Sequence, residues 1–176
     1  MNVNDNKLNA KHKSKISQLI ANPLAKWTAL VLIGCVLYFG NTYVQSKLGR
    51  DTLAKTGLSI HTLEEALVEA SNNDKLVLAN MTAIWCPTCR KLDREVFSNE
   101  QVKVAIDKNF VFARIEYDAK EGEDFMHKYK IYGFPTLLIF NGKGDKLHHL
   151  PLTFDPQKFA SLLSKATGLD SLGNQK

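Results

Sequence analysis

The feature that most constrains this chain is the stretch Ile84-Trp85-Cys86-Pro87-Thr88-Cys89-Arg90-Lys91-Leu92, set just behind the apolar run Leu76-Val77-Leu78-Ala79. The run reads as a buried strand, and the pattern after the second cysteine reads as a helix. A strand, a short turn, two cysteines spaced by two residues and a helix place one thiol at a helix N-terminus. There it meets unpaired backbone N–H groups and the positive end of the dipole, which favour thiolate over thiol. Pro87 suits the position, because proline is preset for the first helical turn and lacks the N–H that would go unpaired there. Taken alone, the pair also matches half of a zinc site, so the rest of the chain must decide.

The 176 residues suffice for one domain with a core plus a tail. A formal charge of +5 raises the question of nucleic acid. Residues 1–50 carry 7 Lys or Arg against 1 acidic residue, whereas residues 51–176 carry 16 against 17. The excess is confined to the N-terminal stretch, and the remainder offers no basic field for phosphate. This distribution argues against a nucleic-acid partner.

That N-terminal charge has a different use. Lys7, Lys11, Lys13, Lys15 and Lys26 precede an apolar segment from Trp27 to Gly40. Extended from Leu24 to Val44, it reaches the roughly 20 residues that a bilayer core requires. Trp27, Tyr38 and Tyr43 lie near its ends, where amphipathic rings prefer the interface. The lysines ahead of it predict a cytoplasmic N-terminus and an exported remainder by the positive-inside bias. A cleaved signal peptide is the alternative, with Val44-Gln45-Ser46 as the tolerable small-residue site, but the apolar region is long for one.

The expected organisation is a basic cytoplasmic tail over 1–23, a transmembrane anchor over 24–44 and a polar tether over 45–58 broken at Gly49 and Gly57. A domain over 59–168 and a C-terminal tail over 169–176 complete it. Such a chain is expected to cross the membrane once, with its N-terminus in the cytoplasm and its domain outside it. Cys35 falls inside the span as a small apolar residue. One cysteine pair then remains in an exported domain, too few for a disulfide-stapled scaffold and suited to redox work.

Along the domain, Thr62 to Glu65 fits a capping box that opens a helix over 62–72. A strand over 76–82 leads into the cysteine motif, and the helix after it is expected from Cys86 to about Phe97. A short helix near 99–107, a strand over 110–115, an acidic turn at 118–124 and a helix over 123–129 follow. Pro135 heads the apolar strand that ends at Phe140, and a proline there belongs at a strand start or edge. Asn141-Gly142-Lys143-Gly144 signals a hairpin to Lys146–Leu150. Asp155 and Pro156 open a last helix.

Trp85-Cys86-Pro87-Thr88-Cys89, followed some forty-five residues later by Gly133-Phe134-Pro135-Thr136, resembles the thioredoxin superfamily. The stretch from Cys89 to Ser98 is most similar to the C-terminal domain of DsbD-type transmembrane reductants. The resemblance covers about residues 60–168. It implies an α/β thioredoxin-like fold, a central mixed sheet flanked by helices, here behind one transmembrane helix.

It also implies roles. Cys86 is the expected attacking thiolate and Cys89 the resolving thiol, so the redox-active Cys86–Cys89 disulfide itself is the working group and no cofactor or metal is needed. Pro135 is the expected cis-proline, with Phe134 offering backbone to an extended substrate, and Trp85 a flap over the site. Pro87 and Thr88 lie between the cysteines. Where thioredoxins carry a buried acid, six residues before the first cysteine, this chain has Asn80, which takes up no proton. Asp93, four after Cys89, is then the candidate base.

The implied activity is thiol–disulfide exchange on protein disulfides, with a membrane electron donor of the DsbD kind to recharge the pair. Reductant is the expected direction; oxidase or isomerase work by the same site is the alternative. Two other classes stay open. A metal site built on Cys86 and Cys89 would need further ligands from His61, His127 or His148-His149, none closely spaced with the cysteines, and neighbouring strand histidines face opposite ways. A redox-silent protein could use the Pro135 groove to hold clients.

Overall fold

The structure, a computed structural model, describes residues 23–173. Apart from Pro23, the expected basic tail lies outside the described residues, as do 174–176. The chain divides into two compact units between Tyr43 and Val44.

Helix α1, Pro23–Ala54, starts on a proline and carries no charged residue between Lys26 and Lys47. From Trp27 to Phe39 its side chains are exposed all round, and by length and composition it qualifies as one membrane span. Its hydroxyls turn inward: Thr28 donates to the Ala25 carbonyl and Thr42 to that of Tyr38, each at 3.0 Å. Such internal satisfaction is what a helix without water around it requires.

The tether expected over 45–58 is corrected by the structure. The helix runs on to Ala54, and Gly49 is buried within it instead of breaking it. A lone glycine costs only about 1 kcal/mol against alanine in a helix, and Gly49 packs too closely on a neighbouring backbone to carry a side chain. The break comes later, at Gly57 with φ +67°.

In the second unit, helix α2 is Leu63–Asn73. Thr62 caps it reciprocally with Glu65: the Glu65 N–H donates to Thr62 Oγ1 at 3.2 Å, and the Thr62 N–H to Glu65 Oε2 at 2.9 Å. The Thr62 N–H and hydroxyl, each donating to Glu65 Oε2 at 2.9 Å, hold the Glu65 carboxyl below its ordinary range. Asp74, with φ 53°, closes the helix in the left-handed region. Strand β1 follows, Leu76–Thr82, with every residue buried. A near-continuous apolar strand of this kind belongs in the middle of a sheet covered on both faces.

Strand β2, Phe110–Glu116, pairs parallel with β1, while β3, Thr136–Phe140, and β4, Lys146–Leu150, add antiparallel, giving the order β2-β1-β3-β4. The parallel pair needs a crossover. It is supplied by α3, Pro87–Leu92, a π-helical turn over Asp93–Phe97, and α4, Glu100–Asn109. The helix expected from 86 to 97 thus changes winding halfway, with the Ser98 N–H donating to the Asp93 carbonyl at 3.0 Å. Helix α5 is Gly122–Tyr129, and α6 is Pro156–Gly173. The tail expected from 169 is therefore helical to Gly173.

Period-two alternation along β1 builds two cores. Leu76 and Leu78 join Leu92, Val96, Phe97, Phe112 and Phe159 on one face. Val77, Ala79 and Met81 join Ala66, Ala70, Phe125 and Phe140 on the other. The fold is a mixed four-stranded sheet flanked by helices, as expected.

Candidate active site

At the C-terminal end of β1 the chain makes one tight turn, with the Cys86 N–H donating to the Ala83 carbonyl at 3.0 Å. Cys86 is the N-cap of α3, with φ −76° and ψ 118°, and Pro87 stands in the first turn. This is the arrangement in which a side-chain acceptor meets free backbone N–H groups. Cys86 Sγ accepts from the Cys89 N–H at 3.1 Å and from the Cys89 thiol at 2.6 Å. Both cysteines are free thiols and buried. Pro87 and Thr88, between them, face solvent.

Burial pushes the Cys89 thiol up to about 12, and the hydrogen bond it gives Cys86 acts the same way. Contact with Thr82 opposes them. The two thiols are therefore unequal: Cys86 receives two hydrogen bonds, and Cys89 holds its proton.

Trp85 and Phe134 pack against the cluster of Ala83, Cys86 and Cys89. Their rings meet edge-on, centroids 5.5 Å apart, and Tyr117 lies tilted against Phe134, also at 5.5 Å. The Trp85 indole N–H donates to Asp118 Oδ2 at 2.8 Å. Pro135 is buried, and the Phe134–Pro135 peptide bond is cis. Thr136 donates to the Gly133 carbonyl at 2.8 Å, tying that loop to the head of β3.

The structure brings Cys86, Cys89, Trp85 and Phe134 together; Asp93 and Asn80 have other surroundings. Asp93, in the π-turn, is 1 % exposed and takes Arg114 Nη1 on both oxygens, at 3.1 and 3.2 Å. Burial raises its carboxyl above the ordinary range, with Arg114 opposing. Arg114 also donates to Glu116 Oε1 at 2.7 Å and to Thr82 Oγ1 at 3.4 Å. Thr82 thus stands between this ion network and Cys89. Asn80 is buried, and neither polar atom of its amide has a hydrogen-bond partner in the structure. Burying such a group unpaired costs about 1–3 kcal/mol.

Sequence reasoning missed Arg114, Tyr117, Asp118 and Thr82. A signal existed for the first: an arginine inside Phe110-Val111-Phe112-Ala113-Arg114-Ile115 needs a buried partner. Tyr117 and Asp118 carry no pattern of their own and come to the site only through the fold.

A sheet of this order, with a cysteine pair capping the first crossover helix and a proline loop beside it, defines a thioredoxin-like redox fold. Comparison with known proteins agrees: the model of the thioredoxin-like domain family matches residues 63–167. The chain belongs to that family.

Among curated relatives, a UBX domain-containing protein 7 homolog from Dictyostelium discoideum is 29% identical over 119 residues, 67% of this chain and 24% of that protein. The thiol:disulfide interchange protein DsbD of Campylobacter jejuni is 26% identical over 141 residues, 76% of this chain and 24% of DsbD. The chain thus spans about a quarter of the length of these two relatives. Among solved structures, the oxidised C-terminal domain of DsbD from Neisseria meningitidis superposes with a TM-score of 0.53 at 20% identity, covering 61% of this chain and 99% of that one. At that identity the likeness speaks for the fold.

Proposed function

We propose that the protein is a membrane-anchored, extracytoplasmic thiol:disulfide oxidoreductase that reduces protein disulfides through Cys86 and Cys89. The observation that carries this reading is the asymmetry of the pair. Cys86 Sγ is the sulfur on which the site's donors converge, the Cys89 N–H and thiol, whereas Cys89 is held protonated by burial. Hydrogen bonds to an ionised acceptor are the stronger ones.

The exchange then runs in two steps. Cys86 thiolate attacks one sulfur of the substrate disulfide, forming the Cys86–substrate bond and releasing the other sulfur as a thiolate. Cys89 next passes its proton to water or to the substrate thiolate released in the first step and attacks Cys86 Sγ, breaking the mixed disulfide and releasing the second substrate thiolate. Two electrons pass to the substrate, and the pair is left as the Cys86–Cys89 disulfide. Phe134 and Pro135 form the wall along which an extended substrate lies, and Trp85 covers the other side. Apart from the redox pair, the cycle uses no cofactor.

Helix α1 acts in this reading as the anchor, with the N-terminus in the cytoplasm and the domain in the periplasm. A membrane electron donor of the DsbD kind returns the pair to the dithiol. The reductant direction rests on the likeness to DsbD-type domains.

The test is the reduction potential of the pair, equilibrated against glutathione buffers. A value at or below about −200 mV supports a reductant, whereas one near about −120 mV makes the protein a donor of disulfides. Exchange of Cys86 for Ser abolishes turnover, and exchange of Cys89 for Ser traps the mixed disulfide. Full activity without Cys86 overturns the reading.

A further inference from the structure

The thioredoxin-like match begins at residue 63, yet the second unit of the fold begins at Val44. The residues in between are not idle. Gly49 is buried against Ile84, two residues ahead of Cys86. A Cβ added there would overlap the Ile84 carbonyl oxygen and lie 3.0 Å from its carbon, so helix and loop backbones meet without an intervening side chain. One turn earlier, Gln45 Oε1 accepts from Arg90 Nη1 at 2.6 Å, and the Gln45 carbonyl oxygen lies 3.5 Å from the same nitrogen. Arg90 follows Cys89 directly, and its N–H donates to the Cys86 carbonyl at 3.0 Å. The helix therefore grips the active-site segment on both sides of the cysteines, through Ile84 before them and Arg90 after.

Other features of the molecule carry less. The hollow of Lys75, Lys108 and Lys143 is also lined by Asp74, Asn109 and Asn141, so its charge is mixed. The cavity of Tyr117, Met126, Ile131 and Tyr132 lies beside the substrate wall already described.

We infer that Gln45 and Gly49 are positioning residues for the cysteine pair: residues from outside the family's domain set the geometry of the Ile84–Arg90 segment, and thereby the reactivity of Cys86 and the equilibrium of the pair. This rests on the redox reading above. The physical reason is directionality. The Cys89 N–H and thiol both aim at Cys86 Sγ, at 3.1 and 2.6 Å, and such bonds weaken steeply as donor, hydrogen and acceptor turn out of line. The close approach at Gly49 leaves the Ile84 backbone little room to turn, and the 2.6 Å bond to Arg90 holds α3 by its fourth residue.

The test uses the full chain in detergent, in a Cys35→Ala background so that only the site reacts. Gly49→Ala adds one methyl group at the contact; Gly40→Ala, at a glycine with nothing within 4 Å, is the control. Gln45→Ala removes the acceptor from Arg90, and Gln45→Glu restores one. Two quantities are read: the alkylation rate of Cys86 by iodoacetamide from pH 5 to 9, and the dithiol–disulfide equilibrium constant against glutathione.

Gly49→Ala and Gln45→Ala are expected to change the rate or the equilibrium constant at least threefold. Gly40→Ala should leave both unchanged, and Gln45→Glu should return toward wild type. If both variants match wild type within measurement error, the segment is structural only and the inference falls. If Gly49→Ala does not fold, the Gln45 pair decides alone. Failure of the redox reading looks different: the wild-type pair itself would then show no reversible equilibrium with glutathione.

Discussion

Arg114 reaches from β2 to the π-turn after α3 and holds Asp93 through one nitrogen placed 3.1 and 3.2 Å from the two carboxylate oxygens. Both side chains are almost fully buried, at 3% and 2% exposure. A charge removed from water this completely is tolerated only while its partner stays, so the pair ties the π-turn that follows α3 to strand β2. The Asp93 carboxylate is thus engaged by Arg114, its backbone N–H donates to the Cys89 carbonyl, and Thr82 stands between Arg114 and the Cys89 thiol.

Removing one member should cost far more than removing both. Asp93→Ala leaves Arg114 with Glu116 and Thr82 alone, and the expected loss is about 3 kcal/mol. Exchanging Asp93 and Arg114 together for leucine removes both buried charges, and the expected loss is within about 1 kcal/mol of wild type. Urea unfolding of the two variants measures the difference. Equal losses would mean that the pair is no unit.

The two thiols should separate by pH. With Cys89 raised to about 12 by burial and by its bond to Cys86, it stays a thiol throughout the neutral range, and the thiolate is the form that alkylates. In a Cys35→Ala background, iodoacetamide at pH 8 should give a single adduct, mapped to Cys86 by mass spectrometry. A second adduct should appear only as the pH climbs toward that of Cys89 ionisation. Two adducts at pH 8 would contradict the assignment of roles.

Much of this was legible in the residues, for stated reasons. Leu76-Val77-Leu78-Ala79 marks the central strand because a strand covered on both faces has no polar positions to spare. Thr62 and Glu65 declare their helix start through a local bond that needs no tertiary context. Residues 45–54 are helical where a tether is expected, because Gly49 has the local signature of a break while its use, a close approach to Ile84, is a long-range contact that local patterns do not encode. Asp93 shows the same limit. Its spacing from Cys89 is visible in the sequence, but its partner lies 21 residues on, across the parallel crossover. Tyr117 and Asp118 reach the site from the end of β2, and only the fold brings them there.

Asp118 should matter to the substrate more than to the redox balance. Its carboxylate accepts the Trp85 indole N–H at 2.8 Å, and the Trp85 ring meets Phe134 edge-on. Asp118→Ala frees the indole at a net loss of about 1 kcal/mol, on the order of a fivefold change. The expected result is a substrate-reduction rate lowered by about that factor at an unchanged equilibrium with glutathione. Insulin reduction and glutathione equilibration, run side by side, read the two. An unchanged rate would show that the Trp85 bond has no part in handling substrate.

Asn80 offers a pH test with a defined sign. Its amide is buried at 1% exposure with both polar atoms unpartnered, so an aspartate placed there must ionise in a poorly solvated site. Desolvation raises the pKa of a buried carboxyl above the unfolded value of about 3.9. Below that value the carboxyl is neutral in both states, and Asn80→Asp should be nearly as stable as wild type. As the pH rises, the unfolded chain ionises first while the folded one resists. The penalty therefore grows until the pH passes the folded pKa and is constant beyond it. Melting temperatures of wild type and variant should thus converge near pH 4 and stand furthest apart at pH 8. A gap that stays the same at both would mean that position 80 is hydrated enough to carry a charge.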